Sequence, residues 1–319
     1  MRVLFAGLAS AGHTYPLIPL AIAAREAGHE VHFAAGENVH APLVRNGLRP
    51  FRPADSFYEI YAEDLEPELT RLRPDLVVHG WGVPEAAVAA ERAGIPALWH
   101  GFGRMFPDGI GFERPSGGVH LDICPPSLQD ADFLATAERI ALRPVPYSEP
   151  GPSERPPRPL IYLTLGTAFG TAEVLTTAIR GLARLDAHVV VASGRVRPDD
   201  LGELPADVTV RAWVPQADVV ARADLVVHHG GSGTMLGALA EGVPQLVLPQ
   251  GADQFANAEA LVTAGAGLRL LPGELSADAV TEQARRLPSC RDAARAVAAE
   301  IAATPSPDEV ARELPKHAK

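Results

Sequence analysis

The sequence predicts an α/β protein built from two doubly wound domains. Short apolar strands alternate with helical segments along most of its 319 residues. Such alternation indicates βαβ units and parallel sheets, whose ligands bind at the carboxyl ends of the strands. A proline-dense stretch, residues 144–159, interrupts the alternation and is typical of a stiff, extended linker. We therefore expect one domain over residues 1–143 and a second over residues 160–303.

In the first domain the pattern is regular as far as residue 100. It predicts strands over 2–6, 30–35, 48–51, 75–79 and 95–100, and helices over 17–28, 39–45, 59–73 and 85–93. Pro67 is expected to weaken or break the third of these helices. Residues 101–126 are rich in glycine and proline without a clean period, so we interpret them as loops. A helix is predicted over residues 130–141.

The alternation resumes after the linker. It predicts strands over 160–165, 188–192, 208–212, 223–227, 245–249 and 266–271, and helices over 173–185, 218–222, 235–240, 254–263, 278–286, 290–303 and 307–314. The turns that follow the strands are where a ligand is expected. The turns of interest cover residues 7–13, 79–82, 166–170, 213–216 and 228–234.

The amino-acid composition and net charge limit which classes of molecule are expected to bind the protein. Hydrophobic residues make up 47% of the chain and charged residues 21%, as in soluble globular proteins. A net charge of −11 argues against nucleic acid or an anionic membrane surface as a partner, and no stretch approaches the roughly 18 apolar residues that span a bilayer. Cys124 and Cys290 form neither a metal spacing nor a disulfide framework, which favours a reducing cytoplasm.

The turn over residues 228–234, HHGGSGT, lies between an apolar strand and a helix. Glycines there allow close backbone approach, and the helix N-terminus favours an anion, so a phosphate site is predicted. One of the two histidines is expected in the core, and the other could donate to a phosphate oxygen. Neighbouring side chains on an extended chain diverge, and no further His or Cys lies at ligand spacing, so zinc is rejected.

Four other positions have both a functional and a structural interpretation. His13 suits a general base at a strand end, or is a capping or merely exposed histidine. Thr167 contacts phosphate or only completes a turn. Trp213 stacks on a nucleobase or belongs to the core. Asp253, with Gln254, binds sugar hydroxyls or caps a helix.

In this order along the chain, Trp213-Val214-Pro215-Gln216, residues 228–234, Gly242-Val243-Pro244 and Asp253-Gln254 resemble a known signature. It is the donor-binding signature of UDP-glycosyltransferase-type enzymes, and the resemblance is closest to the actinobacterial branch that glycosylates antibiotics and other natural products. The resemblance implies the GT-B fold, with two Rossmann-like domains facing across a cleft. It also implies that the C-terminal segment, residues 304–319, packs back on the first domain.

The resemblance further implies the roles of individual residues. Trp213 would stack on the base, Asp253 and Gln254 would hold the sugar, and His13 would deprotonate the acceptor. The remaining donor-binding residues implied are Thr167, Val214, Gln216, His229, Gly231, Ser232, Gly233 and Thr234. The reaction would invert the anomeric carbon without a metal or a cofactor, using a nucleoside-diphosphate sugar and a small-molecule acceptor as substrates.

Two departures from the family pattern affect these expectations. No carboxylate occupies His79-Gly80-Trp81, where the family orients its histidine, so Glu85 or Asp108 are candidate partners of His13. Gly237 replaces a glutamate that holds the ribose hydroxyls in plant members, which favours a dTDP-sugar over a UDP-sugar.

The first domain also looks short for the family. An acceptor pocket that is open, or is completed by a second copy or a partner chain, is therefore expected. Two other functions stay open at this point. One is a non-catalytic sugar-nucleotide-binding partner protein, and the other is a sugar-nucleotide epimerase.

Overall fold

The computed structural model describes residues 1–53, 60–111, 113–115, 117–149 and 159–318. The chain forms two compact units, one of residues 1–147 with 303–319 and the other of residues 148–302. Most of the predicted linker, residues 150–158, lies outside the described residues, as do residues 54–59 at the start of the helix predicted over 59–73.

The first unit contains a seven-stranded parallel sheet. Its strands are β1 (Arg2–Ala6), β2 (Glu30–Ala34), β3 (Arg49–Phe51), β4 (Leu76–Gly80), β5 (Ala97–His100), β6 (Val119–Asp122) and β7 (Glu138–Ala141), in the order β3-β2-β1-β4-β5-β6-β7. Its first six helices are α1 (Ala11–Thr14), α2 (Ile18–Glu26), α3 (His40–Arg45), α4 (Ala62–Leu72), α5 (Glu85–Arg92) and α6 (Ala131–Thr136). Helix α4 continues through Pro67, so the break considered at that residue is wrong.

The second unit repeats this architecture with six parallel strands. They are β8 (Leu160–Thr164), β9 (His188–Ala192), β10 (Val208–Arg211), β11 (Leu225–His228), β12 (Gln245–Val247) and β13 (Gly267–Arg269), in the order β10-β9-β8-β11-β12-β13. Its helices are α7 (Ala172–Leu182), α8 (Gln216–Val220), α9 (Ser232–Ala240), α10 (Gln254–Thr263), α11 (Ala277–Arg286) and α12 (Arg291–Ala302). Buried aliphatic residues from both faces of β8, β9 and β11 form its core, as expected for a sheet covered by helices on both sides.

The last helix, α13 (Pro307–Glu313), belongs to the first unit and packs against α2. It begins with a capping box, in which the Glu309 N–H donates to Ser306 Oγ at 3.2 Å and the Ser306 N–H donates to Glu309 Oε2 at 2.7 Å. Val310 and Ala311 are its buried residues. None of the described helices has the length and apolar character that a membrane crossing requires.

Two sequence-based interpretations in the first unit are wrong. Residues 101–126, interpreted as loops, contain β6, and residues 130–141, predicted as one helix, end in the edge strand β7. The reason is a contact between distant residues. Arg139 Nη1 lies 2.9 Å from Asp122 Oδ2, whose carboxylate is buried, and this ion pair joins β7 to β6. Glu, Arg and Ala favour a helix by local preference, but strand pairing overrides that preference.

Candidate active site

In both units the site-forming turns leave the sheet where the strand order reverses. In the second unit β8 lies beside β11, with Thr164 paired to His228, so the turns over residues 166–170 and 228–234 begin side by side. In the first unit β1 lies beside β4, with Ala6 paired to His79, and the turns over residues 7–13 and 79–82 follow. These are the switch points at which doubly wound sheets bind ligands.

His228 is the core histidine of the glycine-rich turn. It is fully buried, and its Nδ1 accepts a hydrogen bond from the Gly230 N–H at 3.1 Å. Burial lowers the pKa of His228 to about 3, so the ring is neutral. Gly230 has φ +97°, and a Cβ there would lie 2.9 Å from Val247 Cγ1. A larger residue at position 230 would therefore clash as well as strain the backbone.

The ring of His229 lies in space between the backbones of Gly166 and Gly231. A Cβ at Gly166, whose φ is +70°, would come within 2.7 Å of His229 Nε2, and one at Gly231 would come within 2.5 Å of the same atom. Burial lowers the pKa of His229 to about 4, with the Thr164 backbone partly offsetting this effect. The imidazole is thus neutral near pH 7 and is held by close backbone approach on two sides.

The N-terminus of α9 is open to a ligand. Gly231 precedes the helix without a side-chain cap, and Gly233 is exposed with no atom within 4 Å of an added Cβ. Side chains therefore leave first-turn N–H groups available, and the helix dipole adds positive potential. Gly237, one turn further along the same face, is buried and has no side chain to offer a ligand.

The segment after β10 presents an aromatic ring to solvent. Trp213 is 48% exposed whereas Val214 is buried, so the interpretation of Trp213 as a core residue is wrong. Gln216 is tied to the neighbouring elements, because its Oε1 accepts hydrogen bonds from Tyr162 Oη at 3.3 Å and Thr234 Oγ1 at 3.2 Å. The segment that carries Trp213 is thereby fixed to the glycine-rich turn.

Asp253 occupies the N-cap position of α10 without capping it. Its Oδ2 instead accepts hydrogen bonds from Ser232 Oγ at 3.3 Å and Asn257 Nδ2 at 2.9 Å. Burial raises the pKa of Asp253, and these bonds oppose the rise. Capping is therefore the wrong interpretation of Asp253. Gln254 is buried, and its Oε1 accepts from the backbone N–H groups of Gln250 and Gly251 at 2.8 and 3.2 Å.

The turn after β8 contains a residue that sequence reasoning missed. Thr167 is exposed, and next to it Arg195 Nη1 donates to the Ala168 carbonyl at 2.7 Å. Phe169 is 43% exposed and lies against Gly251, where a Cβ would come within 2.8 Å of Phe169 Cε1. Phe169 and Trp213 are thus exposed aromatic residues on strand-end turns of the same unit. The sequence signal that could have identified Phe169 is an aromatic residue in a turn that directly follows a strand.

His13 lies in α1 at the switch point of the first unit. Its ring contacts Phe102 edge-to-face with centroids 4.8 Å apart, and burial lowers its pKa to about 4. The backbone of Gly82 lies close to His13 Nδ1. A Cβ added at Gly82 would be 3.1 Å from that atom. Of the two proposed partners, Glu85 lies in the first turn of α5, and Asp108 is exposed with Oδ1 3.3 Å from Arg114 Nε.

An aromatic cluster, also missed from the sequence, supports Phe102. Phe102 packs on Trp81 and Phe106, with ring centroids 5.7 and 5.8 Å apart, and Phe133 also packs on Trp81, at 5.7 Å. Residues 101–126 supply two of these rings, so the stretch interpreted as loops builds the wall beside His13.

A strained residue precedes Asp253, and we expect Ala252→Gly to stabilise the protein. Ala252 is exposed with φ +52°, a left-handed conformation that costs an alanine about 1 kcal/mol. Glycine should therefore raise the free energy of unfolding by about 0.5–1 kcal/mol, measured in urea. Ala260→Gly in the interior of α10 is the control and should lower it by about 1 kcal/mol. Equal destabilisation by both changes would show that position 252 is unstrained.

The chain is similar to known proteins of antibiotic biosynthesis. Residues 176–316 match the family described as "Erythromycin biosynthesis protein CIII-like, C-terminal domain". The chain is 34% identical to elloramycin glycosyltransferase ElmGT of Streptomyces olivaceus, covering 98% of this chain and 97% of that protein. It is 31% identical to L-demethylnoviosyl transferase of Streptomyces niveus, covering 85% of each.

Solved structures agree. The glycosyltransferase SnogD from Streptomyces nogalater superposes with a TM-score of 0.78 at 29% identity, covering 99% of each chain. The glycosyltransferase SsfS6 from Streptomyces sp. SF2575, complexed with thymidine diphosphate, superposes with a TM-score of 0.79 at 27% identity, covering 99% of each chain. These similarities confirm the predicted GT-B fold.

Proposed function

The chain belongs to the glycosyltransferases of antibiotic biosynthesis, and on that premise we propose that it uses a nucleoside-diphosphate sugar to glycosylate a small natural product. The resemblance inferred from the sequence is thereby confirmed, and so is the assignment as an enzyme. The observation that carries the proposal is the convergence, in one unit, of an exposed tryptophan, an open helix N-terminus and a half-buried carboxylate. These three features suit the base, the diphosphate and the sugar of one donor.

The donor would lie along the turns of the second unit. Trp213 offers an exposed indole face for the base, since aromatic rings stack on any nucleobase. The first turn of α9, with Ser232, Gly233 and Thr234, supplies N–H groups and hydroxyls for the diphosphate. Asp253 and the Gln254 amide would hold the sugar hydroxyls, with Thr167 completing the phosphate contacts.

The leaving group gains negative charge as the glycosidic bond breaks. The helix dipole of α9 stabilises that charge without reorganisation. His229 is neutral in the free protein, and a bound diphosphate favours its protonated form. His229 would then donate from Nε2, the atom enclosed by Gly166 and Gly231.

The acceptor oxygen would attack the anomeric carbon from the face opposite the diphosphate, so that the configuration inverts. The new C–O bond forms as the bond to the β-phosphate breaks, and His13 takes the acceptor proton. Neither a metal nor a cofactor enters this scheme. We also propose the cytoplasm as the location, because Cys124 and Cys290 are both buried thiols.

We favour dTDP over UDP as the nucleotide. The position that a ribose-binding glutamate would occupy is Gly237, which is buried and has no polar side chain. A 2′-hydroxyl would therefore find no side-chain partner there, whereas a deoxyribose needs none. The complex of SsfS6 with thymidine diphosphate is consistent with this preference.

The proposal is tested by incubating the protein with a dTDP-sugar and a phenolic acceptor, and by measuring nucleotide binding. We expect glycoside and free dTDP, and tighter binding of dTDP than of UDP. Trp213→Ala should weaken dTDP binding by about 1–3 kcal/mol, and Trp213→Phe should retain most of the affinity. Tight donor binding without turnover across an acceptor panel would support a non-catalytic partner protein instead, and interconversion of sugar nucleotides without an acceptor would support an epimerase.

A further inference from the structure

Asn257 is a buried amide at the donor turns to which the proposed mechanism assigns no role. It is 1% exposed and lies in α10, one helical turn after Asp253. Residues four apart share a helix face, so the amide is directed to the same side as the Asp253 carboxylate. Its apolar neighbour on the helix, Ala258, is fully buried.

The Asn257 amide joins three groups from different parts of the donor site. Its Nδ2 lies 2.9 Å from the Gly230 carbonyl, 3.2 Å from Ser232 Oγ and 2.9 Å from Asp253 Oδ2. Ser232 Oγ also donates to Asp253 Oδ2 at 3.3 Å. The glycine-rich turn and the carboxylate after β12 are therefore held together by one buried side chain.

We propose that Asn257 is a positioning residue that fixes the sugar-binding carboxylate of Asp253 relative to the diphosphate-binding turn. This inference rests on the proposed function. The two groups that Asn257 joins would contact the two parts of the donor that separate when the glycosidic bond breaks. Holding them at a constant spacing keeps the anomeric carbon in line for attack, and small misplacements of reacting groups lower rates strongly.

The amide also keeps Asp253 available as a hydrogen-bond acceptor. A buried carboxylate without donors is costly, and burial raises the pKa of Asp253. Hydrogen bonds from Asn257 and Ser232 act in the other direction and favour the ionised form. Glu259, which is also in α10, forms an ion pair with Arg269 of β13. His229 on the adjacent turn is neutral.

Asn257→Asp and Asn257→Ala test this role. Aspartate at position 257 would face Asp253 across a hydrogen-bond distance, where two carboxylates cannot both be ionised. At pH 8 both variants should lose about 10- to 100-fold in kcat/KM for the nucleotide sugar. As the pH falls to 6, the carboxyl pair can share a proton and re-form the bond. Activity relative to wild type should then recover several-fold in Asn257→Asp and stay low in Asn257→Ala.

Binding measurements separate positioning from general destabilisation. Affinity for the dTDP-sugar should fall more than affinity for dTDP, because only the sugar contacts Asp253. Thr281→Val is the matched control. It removes a buried hydroxyl that lies away from the donor turns and donates to the carbonyl of Gly181, a residue of α7, at 2.8 Å. It should lower the melting temperature without changing the ratio of the two affinities.

These measurements distinguish failure of the positioning role of Asn257 from failure of the proposed function. If wild-type protein binds neither dTDP nor a dTDP-sugar, the proposed function fails whatever the variants do. If wild type turns over, equal loss of dTDP and dTDP-sugar binding in the Asn257 variants would overturn the positioning role. The same holds if the recovery at pH 6 is absent from Asn257→Asp. Should Asn257→Ala not fold, the pH dependence of Asn257→Asp still decides.

Discussion

Replacing His13 with alanine is expected to lower transfer to an un-ionised hydroxyl acceptor by about 10²- to 10⁴-fold, the usual contribution of a general base. Affinity for dTDP should not change, because the turns proposed to bind the donor lie in the second unit. His13→Gln, which keeps polarity without a basic nitrogen, should lose as much as His13→Ala. The measurement is kcat/KM for glycoside formation, together with dTDP binding by calorimetry.

The acidity of the acceptor makes this test specific for proton transfer. A phenol that is already ionised at the assay pH needs no base, so His13→Ala should affect its transfer little. Across a series of phenols, log(kcat/KM) of the variant should depend more steeply on acceptor pKa than that of wild type. His32→Ala is the control, since His32 pairs with Glu30 at the far end of β2. A uniform loss for all acceptors would assign His13 to binding rather than to proton transfer.

The pH dependence has a defined direction. Burial lowers the pKa of His13 to about 4, and the neutral form is the one proposed to act as the base. The active form is therefore fully present above pH 5 in the free protein and is lost as the pH falls through about 4. The acid limb of kcat/KM should not be centred at 6.5, the value of an exposed histidine.

The structure around the glycine-rich turn of the second unit was largely predictable because its sequence signals are local. The strand before residue 228, the glycines after it and the helix that follows are contiguous, so strand, turn and helix could be predicted from one window of sequence. The sequence also predicted that one of the two histidines would lie in the core, because neighbouring side chains on a strand diverge, and the family resemblance implied that His229 was the other one. The structure places His228 fully in the core and His229 at the glycines.

What the sequence did not reveal depends on contacts between distant residues. Strand β7 pairs with β6, where Arg139 meets the buried carboxylate of Asp122, and no periodicity in four residues predicts this pairing. Phe102 reaches His13 from a segment without any regular pattern. Asn257 lies only four residues from Asp253, but its role depends on Gly230 and Ser232, more than 20 residues earlier.

A second large effect is expected on stability: lowering the pH from 7 to 5 should remove several kcal/mol from the free energy of unfolding, about 2 kcal/mol for each histidine that is buried in its neutral form. Three histidines, His79, His100 and His228, are fully buried. Burial lowers their pKa values to about 4, 4 and 3. In the unfolded chain each has a pKa near 6.5, so only the unfolded state takes up protons between pH 6.5 and 4, at about 2 kcal/mol for each histidine by pH 5.

The sign follows from the depressed folded pKa. Stability contributed by a neutral buried histidine is fully present above pH 6.5 and is lost as the pH falls toward 4. Asp122, which is buried, and Asp253, which is half-buried, have raised pKa values, so they act in the opposite direction and reduce the loss. His79 and His100 both belong to the first unit, which therefore loses about 4 kcal/mol by pH 5. Domains are commonly stable by roughly 5–15 kcal/mol, so this loss is enough to bring a marginal first unit close to unfolding.

Urea unfolding at several pH values measures the effect, and the position of the histidines lets each unit be followed. His79 and His100 belong to the first unit with buried Trp81, whose emission should shift to the red as that unit unfolds. Asn at position 100 can replace the Nδ1–H that donates to the Gly101 carbonyl at 2.6 Å without taking up a proton. His100→Asn should therefore reduce the slope of unfolding free energy against pH by about 1.4 kcal/mol per pH unit, one proton's worth. An unchanged slope would mean that His100 is already protonated in the folded protein, which its burial between β4 and β6 makes energetically unfavourable.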